Sequence, residues 1–213
     1  MLMEIDCYLI DLIKRMSVEE KGVNSDDSVS WKAYREAESL DEERFIKQLM
    51  DYLTIENNKT FRDSAYFILG KLLMKFTDKV AIQFYIDRLI FETDKYVLSH
   101  MLDRLKDIEK EQSIELTPII QCTESEKWLV RYSAINALTK TNHEAAKSKI
   151  RAIVQLDDQK KYKYEIVYAV ATLGTVGEIE DIALLKPLFS SRIRDIRDSA
   201  KFAAESLSCR SSV

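Results

Sequence analysis

The amino-acid sequence predicts an all-α fold, a right-handed α–α superhelix of about five helix pairs preceded by an N-terminal helical cap. Two observations lead to this prediction. The chain has only four glycines and two prolines among its 213 residues, whereas average usage is roughly 7% glycine and 5% proline. Hairpin turns and glycine-rich phosphate loops need residues that tolerate positive φ, so β-sandwiches, β-barrels, dinucleotide folds and P-loop enzymes are excluded. The second observation is an apolar pattern that repeats with the length of a helix pair.

The repeat is defined by one apolar position in the second helix of each predicted pair. This anchor column is spaced by 31 to 36 residues and consists of Ala65, Met101, Ala134, Ala169 and Ala200. A small residue at such a position lets a neighbouring helix approach closely, and the apolar residues one turn away on either side continue the stripe. Helix pairs of this kind bury their apolar faces by stacking on one another. The anchor column is therefore predicted to lie in the core.

Each anchor helix is preceded by another amphipathic stretch, which is predicted to be the first helix of its pair. These stretches lie at 45–53, 80–91, 114–122, 145–156 and 179–189. Ser39 with Glu42 and Thr123 with Glu126 fit the reciprocal capping box, which predicts that helices begin at these sites. Asn142 is predicted to cap the helix that follows it.

The chain is predicted to be a single structural domain with two segments. Residues 1–38 form an N-terminal helical cap and acidic loop, and residues 39–213 form the repeat array. Within the first segment, 5–16 is predicted to be a short amphipathic helix, 17–30 a polar loop and 31–38 a helical turn that leads into the array. A terminal repeat must cover an apolar face while presenting a polar one, and this favours a cap over a mobile arm or a peptide that docks elsewhere.

Two of the predicted pairs share further features, at 118–138 and 184–204. Each has a proline in its first helix and a β-branched residue followed by arginine at the start of its second helix. In these features the chain resembles the HEAT repeat family over residues 40–207. The signatures of the tetratricopeptide and ankyrin repeats, which have similar periods, are absent.

The HEAT resemblance implies an α-solenoid fold and a structural role for one arginine in each pair. Arg62, Arg131 and Arg197 match the family arginine, which is expected to tie the loop between the two helices to its neighbour. The second and fourth pairs depart from the pattern, because they have Leu98 and Ile166 at this position. The geometry of those two loops is therefore expected to differ.

Composition also restricts the expected location. Residues 1–14 carry three acidic side chains, which does not fit a secretory signal, and no apolar run approaches the ~20 residues that span a bilayer. Cys7, Cys122 and Cys209 form no pair at metal-ligand or disulfide-framework spacing. A cytoplasmic protein with reduced thiols is expected.

No catalytic constellation is recognisable, so the protein is predicted not to be an enzyme. The sequence contains no G-x-S-x-G, H-E-x-x-H or P-loop motif. His143 and Glu144 form a single His-Glu dyad, whereas the HEAT-like deoxyhypusine hydroxylases hold their di-iron centre with several. HEAT-like DNA glycosylases place Trp, Asp and Arg on a basic surface, but Trp128 is followed one turn later by Tyr132 instead of Asp. No metal, no cofactor and no catalytic residue is predicted.

The predicted function is a non-catalytic scaffold or adaptor that binds a protein partner on the concave surface of the solenoid, formed by the second helices. An antitoxin-like or immunity-type inhibitor of a cognate enzyme and a HEAT-like DNA glycosylase are the alternatives. Neither nucleic acid nor a membrane is the expected partner. Aromatic rings with nearby carboxylates are typical of recognition surfaces, although the same rings could instead fold inward and complete the core. The predicted partner-binding residues are Asp63, Phe67, Asp103, Tyr132, Asn136, Tyr168, Asp198 and Phe202.

Overall fold

The computed structural model describes residues 5–210, which form helices and connecting loops without any β-strand among them. The predicted all-α class is therefore confirmed. The chain divides into two compact units, of which unit 1 ends at Arg104 and unit 2 begins at Leu105. The first four residues of the predicted cap and the last three of the predicted array lie outside the described residues. The boundary predicted between residues 38 and 39 stays a prediction.

Unit 1 contains the first six helices of the described chain. They are α1 (Cys7–Met16), α2 (Val29–Ser39), α3 (Arg44–Ile55), α4 (Lys59–Lys75), α5 (Lys79–Asp87, extended by a 3₁₀ turn over Arg88–Ile90) and α6 (Lys95–Leu105). α1 packs on α2 and α4, while α3 packs on α4 and α5. Five of these helices begin at side chains that accept a hydrogen bond from the first turn, as N-caps do: Asp6, Ser28, Asn58, Asp78 and Asp94.

The polar loop predicted between α1 and α2 is held to α2 by one carboxylate. Glu20 accepts hydrogen bonds from the hydroxyl of Ser28 at 2.6 Å, the backbone N–H of Val29 at 2.9 Å and that of Ser30 at 3.0 Å. These donors lie at the positive end of a helix dipole, and the bond from Ser28 is the main cause that lowers the pKa of Glu20 to about 2. The same interactions explain why α2 begins two residues before the predicted turn at Trp31.

Unit 2 contains the remaining helices. They are α7 (Thr117–Cys122), α8 (Trp128–Ala137), α9 (Glu144–Val154), α10 (Lys163–Val176), α11 (Ile182–Leu185, between 3₁₀ turns at Ile179–Asp181 and Lys186–Ser190) and α12 (Arg194–Arg210). α10 is central, since it packs on α8, α9 and α12. Gly174 permits a close approach of α10 to α12: a Cβ atom there would lie 3.0 Å from Cβ of Ala203 and 3.1 Å from its Cα.

The anchor column lies in the core, as predicted. Ala65, Met101, Ala134, Ala169 and Ala200 are each 0% exposed. They belong to α4, α6, α8, α10 and α12, which alternate with the predicted first helices. The repeated pattern therefore identified both the helices and the faces that they bury.

The predicted helix starts were less accurate. Ser39 is the last residue of α2, and its hydroxyl donates to the carbonyl of Glu36. Thr123 follows the last residue of α7 and donates to the carbonyl of Ile120. Neither residue begins a helix, so both predicted capping boxes are wrong. α9 is capped by His143 instead of the predicted Asn142, because Nδ1 of His143 accepts from the backbone of Ala145.

The arginines implied by the HEAT resemblance do hold the loops between helices. Arg62 donates to the carbonyl of Asn57, and Arg131 donates to those of Ser125 and Glu126. Arg197 donates to the carbonyl of Ser191 at 3.1 Å. Arg62 and Arg131 also reach a carboxylate of the following pair, Glu92 and Glu165 respectively. The expected role of tying a loop to the neighbouring pair is confirmed for Arg62 and Arg131, whereas the contacts of Arg197 with described residues lie within its own pair.

Candidate protein-binding surface

Four aromatic side chains of unit 2 contact one another on α8 and α10. Trp128 and Tyr132 lie one turn apart on α8, as do Tyr164 and Tyr168 on α10, so each pair shares a helix face. The ring of Tyr132 is central: its centroid lies 5.4 Å from that of Trp128, 5.8 Å from Tyr164 and 5.2 Å from Tyr168. The rings of Tyr132 and Tyr168 are nearly parallel, with 29° between their planes. We refer to these four residues as the four-ring cluster.

The outer members of the four-ring cluster face solvent. Trp128 is 59% exposed and Tyr164 is 54% exposed, whereas Tyr132 and Tyr168 are half-buried. Contacts between rings of this geometry are favourable by about 0.5–1.5 kcal/mol beyond area burial. The cluster is therefore ordered by its own stacking while much of its apolar area remains in water.

Charged groups border the cluster on the α12 side. Nζ of Lys163 lies 5.0 Å from the ring centroid of Tyr164 and forms an ion pair of 2.6 Å with Asp195. Partial burial is the main cause that raises the pKa of Tyr132, and the negative charge of Glu165 adds to it. Tyr132 therefore presents a neutral hydroxyl near neutral pH, one that can donate a hydrogen bond to a partner.

The other predicted residues of unit 2 lie outside the contacts of the four-ring cluster. Asn136 is half-buried one turn after Tyr132 on α8. Asp198 is exposed on α12 and pairs with Arg194 at 3.2 Å. Phe202, one turn further along α12, is 72% exposed and therefore does not complete the core. No described residue makes a ring or cation contact with it.

The three predicted residues of unit 1 form a different environment. A carboxylate oxygen of Asp63 lies 3.0 Å from Nδ1 of His100, and the hydrogen bond between them raises the pKa of His100. Phe67 is half-buried, with the Arg104 guanidinium 4.5 Å from its centroid. The ring of Tyr34 meets Phe67 edge-on at 4.9 Å. Asp103 is exposed on α6.

Sequence reasoning missed two members of the four-ring cluster as binding residues. Trp128 and Tyr164 stand in the first turns of α8 and α10, before the positions that the repeat alignment selected. Their spacing of four residues from Tyr132 and Tyr168 was the signal that could have identified them, because residues so spaced are neighbours on a helix surface.

Two of the groups that could support chemistry are made unreactive or are engaged otherwise. Burial raises the pKa of the Cys122 thiol to about 11, which disfavours the thiolate that a nucleophile requires. His143 is occupied as a helix cap. Among residues 5–210, no three His, Cys, Asp or Glu side chains are grouped to hold a metal ion. In the same range, no helix combines the length and apolar character needed to cross a bilayer.

Several solved structures share the fold of this chain. A designed armadillo repeat protein matches with a TM-score of 0.53 and 14% identity, covering 93% of this chain and 99% of the other. A second one, in complex with the peptide (KR)4, matches with a TM-score of 0.55 and 13% identity over the same shares. Computationally designed armadillo repeat proteins for modular peptide recognition match with a TM-score of 0.51 and 14% identity, again over 93% and 99%. No protein-family model and no curated protein matches the sequence. The chain thus has an α-solenoid repeat fold, similar to that of designed armadillo repeat proteins.

Proposed function

We propose that this protein is a non-catalytic, HEAT-like scaffold of the cytoplasm that binds a protein partner through the four-ring cluster of unit 2. The observation that carries the proposal is the cluster itself, in which three rings contact Tyr132 and two of these three are more than half exposed. Tryptophan and tyrosine dominate binding hot spots, because they bury a large area and lose little conformational entropy. The cluster would supply such anchors before any partner is bound.

Other exposed or half-buried side chains of α8 and α12 support a polypeptide as the partner. Asn136 continues the α8 face beyond Tyr132, and Asp198 and Phe202 offer a carboxylate and an unpacked ring on α12. An apolar centre with a polar rim is the common anatomy of protein interfaces. The similar designed proteins include one that was solved with a bound peptide, and the same use of a repeat surface is proposed here. In unit 1, Asp63, Phe67 and Asp103 are proposed as a separate contact region.

Selection of ligands from a random peptide library tests this function. The full chain serves as bait, and peptides that also bind the Trp128→Ala variant are removed. Affinities of the remaining peptides are then measured by fluorescence anisotropy. We expect Tyr132→Ala combined with Phe202→Ala to weaken binding by ~2–5 kcal/mol, the range of hot-spot residues. The thermal unfolding midpoint should fall only modestly, since Phe202 is exposed and the half-buried Tyr132 gives up ring contacts at the surface.

Phe91→Ala provides a matched control, because Phe91 is 66% exposed in unit 1 and lies outside the four-ring cluster. Its affinity for the selected peptides should equal that of the wild type. The proposal fails if no peptide distinguishes the wild type from Trp128→Ala. It also fails if the double variant loses stability while its folded fraction binds normally, since the rings would then be structural.

A further inference from the structure

Three carboxylates are buried within residues 5–210: Glu92, Glu165 and Asp181. Both oxygens of Glu92 accept from the guanidinium of Arg62, at 2.9 Å each, and Oε1 also accepts from two backbone N–H groups. Both oxygens of Asp181 accept from Arg151, and Oδ2 also accepts from the backbone of Glu178. Two of the three carboxylates thus have partners for both oxygens, as buried polar groups normally do.

Glu165 is the exception. Nε and Nη2 of Arg131 both donate to the same oxygen, Oε1, at 2.9 and 2.7 Å. No described residue donates to Oε2, although Glu165 is only 5% exposed. Within the described chain, the only fully enclosed side-chain polar atom without a partner is Nε of Arg104. Oε2 of Glu165 is therefore an acceptor without a donor among the described residues that is not fully enclosed, and Glu165 lines a cleft.

That cleft has a volume of about 490 Å³ and lies between the α7–α8 loop, α9 and the start of α10. Ala152 and Ile153 of α9, with Leu156 just after that helix, form an aliphatic wall, and Tyr162 adds an aromatic ring to the lining that includes Glu165. Pockets for small molecules occupy ≈ 300–1,000 Å³ and combine apolar walls with a few polar groups. The dimensions and lining therefore fit a ring-sized apolar group.

The charges that line the cleft are largely neutralised by one another. Glu124 pairs with Lys149 at 2.5 Å, and Glu165 pairs with Arg131. Of the remaining two, Lys161 holds its ammonium 4.7 Å from the ring centroid of Tyr162, and Glu126 is exposed. A charged ligand would have to compete with these ion pairs, whereas a neutral donor needs only the free oxygen. An uncharged group is thus favoured.

We infer that this cleft binds an uncharged, ring-sized apolar group that carries one O–H or N–H donor, such as a phenol or an indole. The ring packs on the aliphatic wall and on Tyr162, and its donor bonds to Oε2 of Glu165. A charge-assisted hydrogen bond of this kind is stronger than a bond between neutral groups. The site shares no residue with the four-ring cluster, and its occupation does not depend on the function proposed for that surface.

Binding of p-cresol to the full chain tests the inference, followed by ¹H–¹⁵N correlation NMR. Toluene has the same ring without the donor, and n-butylamine carries a charged donor. We expect p-cresol to bind at least tenfold more tightly than either, with shifts centred on α9 and the start of α10. Equal affinities for p-cresol and toluene would overturn the role of Glu165, and tighter binding of n-butylamine would overturn the preference for an uncharged group.

Two variants locate the site. Glu165→Gln places an amide N–H or a weaker acceptor beside the ligand, and it should reduce p-cresol affinity at least tenfold. Glu92→Gln alters the equivalent arginine pair of unit 1 and should leave affinity unchanged. Ala152→Leu fills the cleft from an exposed position on α9 without touching the buried pair, and it should also abolish binding. Ala152→Leu keeps the test decisive if Glu165→Gln unfolds. Wild-type affinity in Ala152→Leu would refute the site.

A further probe distinguishes whether the ring-sized group belongs to a polypeptide or to a free small molecule. N-acetyltyrosinamide presents the same phenol on a peptide backbone. An affinity within threefold of that of p-cresol assigns the cleft to a tyrosine of a polypeptide. A loss of more than tenfold assigns it to a free small molecule. Binding of neither phenol would refute the inference.

Discussion

Replacement of Arg131 by methionine should be among the most destabilising single changes in unit 2. The guanidinium donates twice to Glu165 and also donates to the carbonyls of Ser125 and Glu126. Methionine retains much of the aliphatic packing but removes every donor. The side chain of Glu165, which is 7% exposed, would then be a buried charge without a counter-ion.

The expected loss of stability follows from the acceptors that no longer have a hydrogen-bond donor. Breaking a buried ion pair by removing one partner costs about 3–5 kcal/mol. The two loop carbonyls add little, because Ser125 and Glu126 are accessible to water. We therefore expect Arg131→Met to lower the free energy of unfolding by about 3 kcal/mol, at the lower end of that range. Arg62→Met should cost less, since Glu92 keeps the backbone N–H groups of the next two residues as donors.

Intrinsic fluorescence can follow each unit separately, because one of the two tryptophans, Trp31, lies in unit 1 and the other, Trp128, lies in unit 2. Urea unfolding of unit 2 is measured in a Trp31→Phe background. Adding Glu165→Met to Arg131→Met should return stability to within about 1 kcal/mol of the wild type, since removing both charges removes the desolvation penalty. An Arg131→Met variant as stable as the wild type, or a double variant as unstable as the single one, would refute the reasoning.

Two further predictions concern the core and the pH dependence. Ala134→Glu should lower the free energy of unfolding of unit 2 by more than ~3 kcal/mol, because it buries a charge at a position that is 0% exposed. Near-wild-type unfolding in urea would show that this face is not core. Since Asp63 raises the pKa of His100 above its unfolded value, the pair stabilises unit 1 at low pH and this contribution is lost as the pH rises through the folded pKa. Urea unfolding at a series of pH values should show this decline above about pH 6.5 in the wild type but not in Asp63→Asn, and an unchanged profile in the variant would disprove the coupling.

The core was predictable from the sequence because its signal is repeated. The anchor column was recognised from five positions at similar spacing, so an error at one position had little effect. Helix boundaries lack this redundancy. Ser39 and Thr123 satisfy carbonyl groups at helix ends instead of N–H groups at helix starts. Hydroxyl side chains can do either, and the Ser/Thr-x-x-Glu pattern does not distinguish the two.

The candidate surface was predictable in part for a related reason. Tyr132 and Tyr168 were selected from the repeat register, and the structure places their rings 5.2 Å apart. Trp128 and Tyr164 lie one helical turn before the positions that the repeat register selects. The exposure of a helix's first turn depends on how far the preceding loop extends. Phe202 was expected to lie away from the apolar stripe, and it is 72% exposed. Contacts across helices depend on their relative rotation, which a single helix pattern does not specify.

The cleft beside Glu165 shows that equivalent arginine positions of the repeat can have carboxylate partners with different free acceptors. Arg62 and Arg131 occupy equivalent positions, but the carboxylates that they reach lie in different local structures. Glu92 precedes α6 in a loop, where Arg62 donates to both carboxylate oxygens and the backbone N–H groups of the next two residues also donate to Oε1. Glu165 lies in the first turn of α10, and its carboxylate extends from the helix toward Arg131 without a backbone donor of its own. The free oxygen arises because both guanidinium donors of Arg131 bond to Oε1 of Glu165, whereas those of Arg62 are divided between the two oxygens of Glu92. One inter-helix loop thereby becomes a candidate binding site, while its counterpart remains structural.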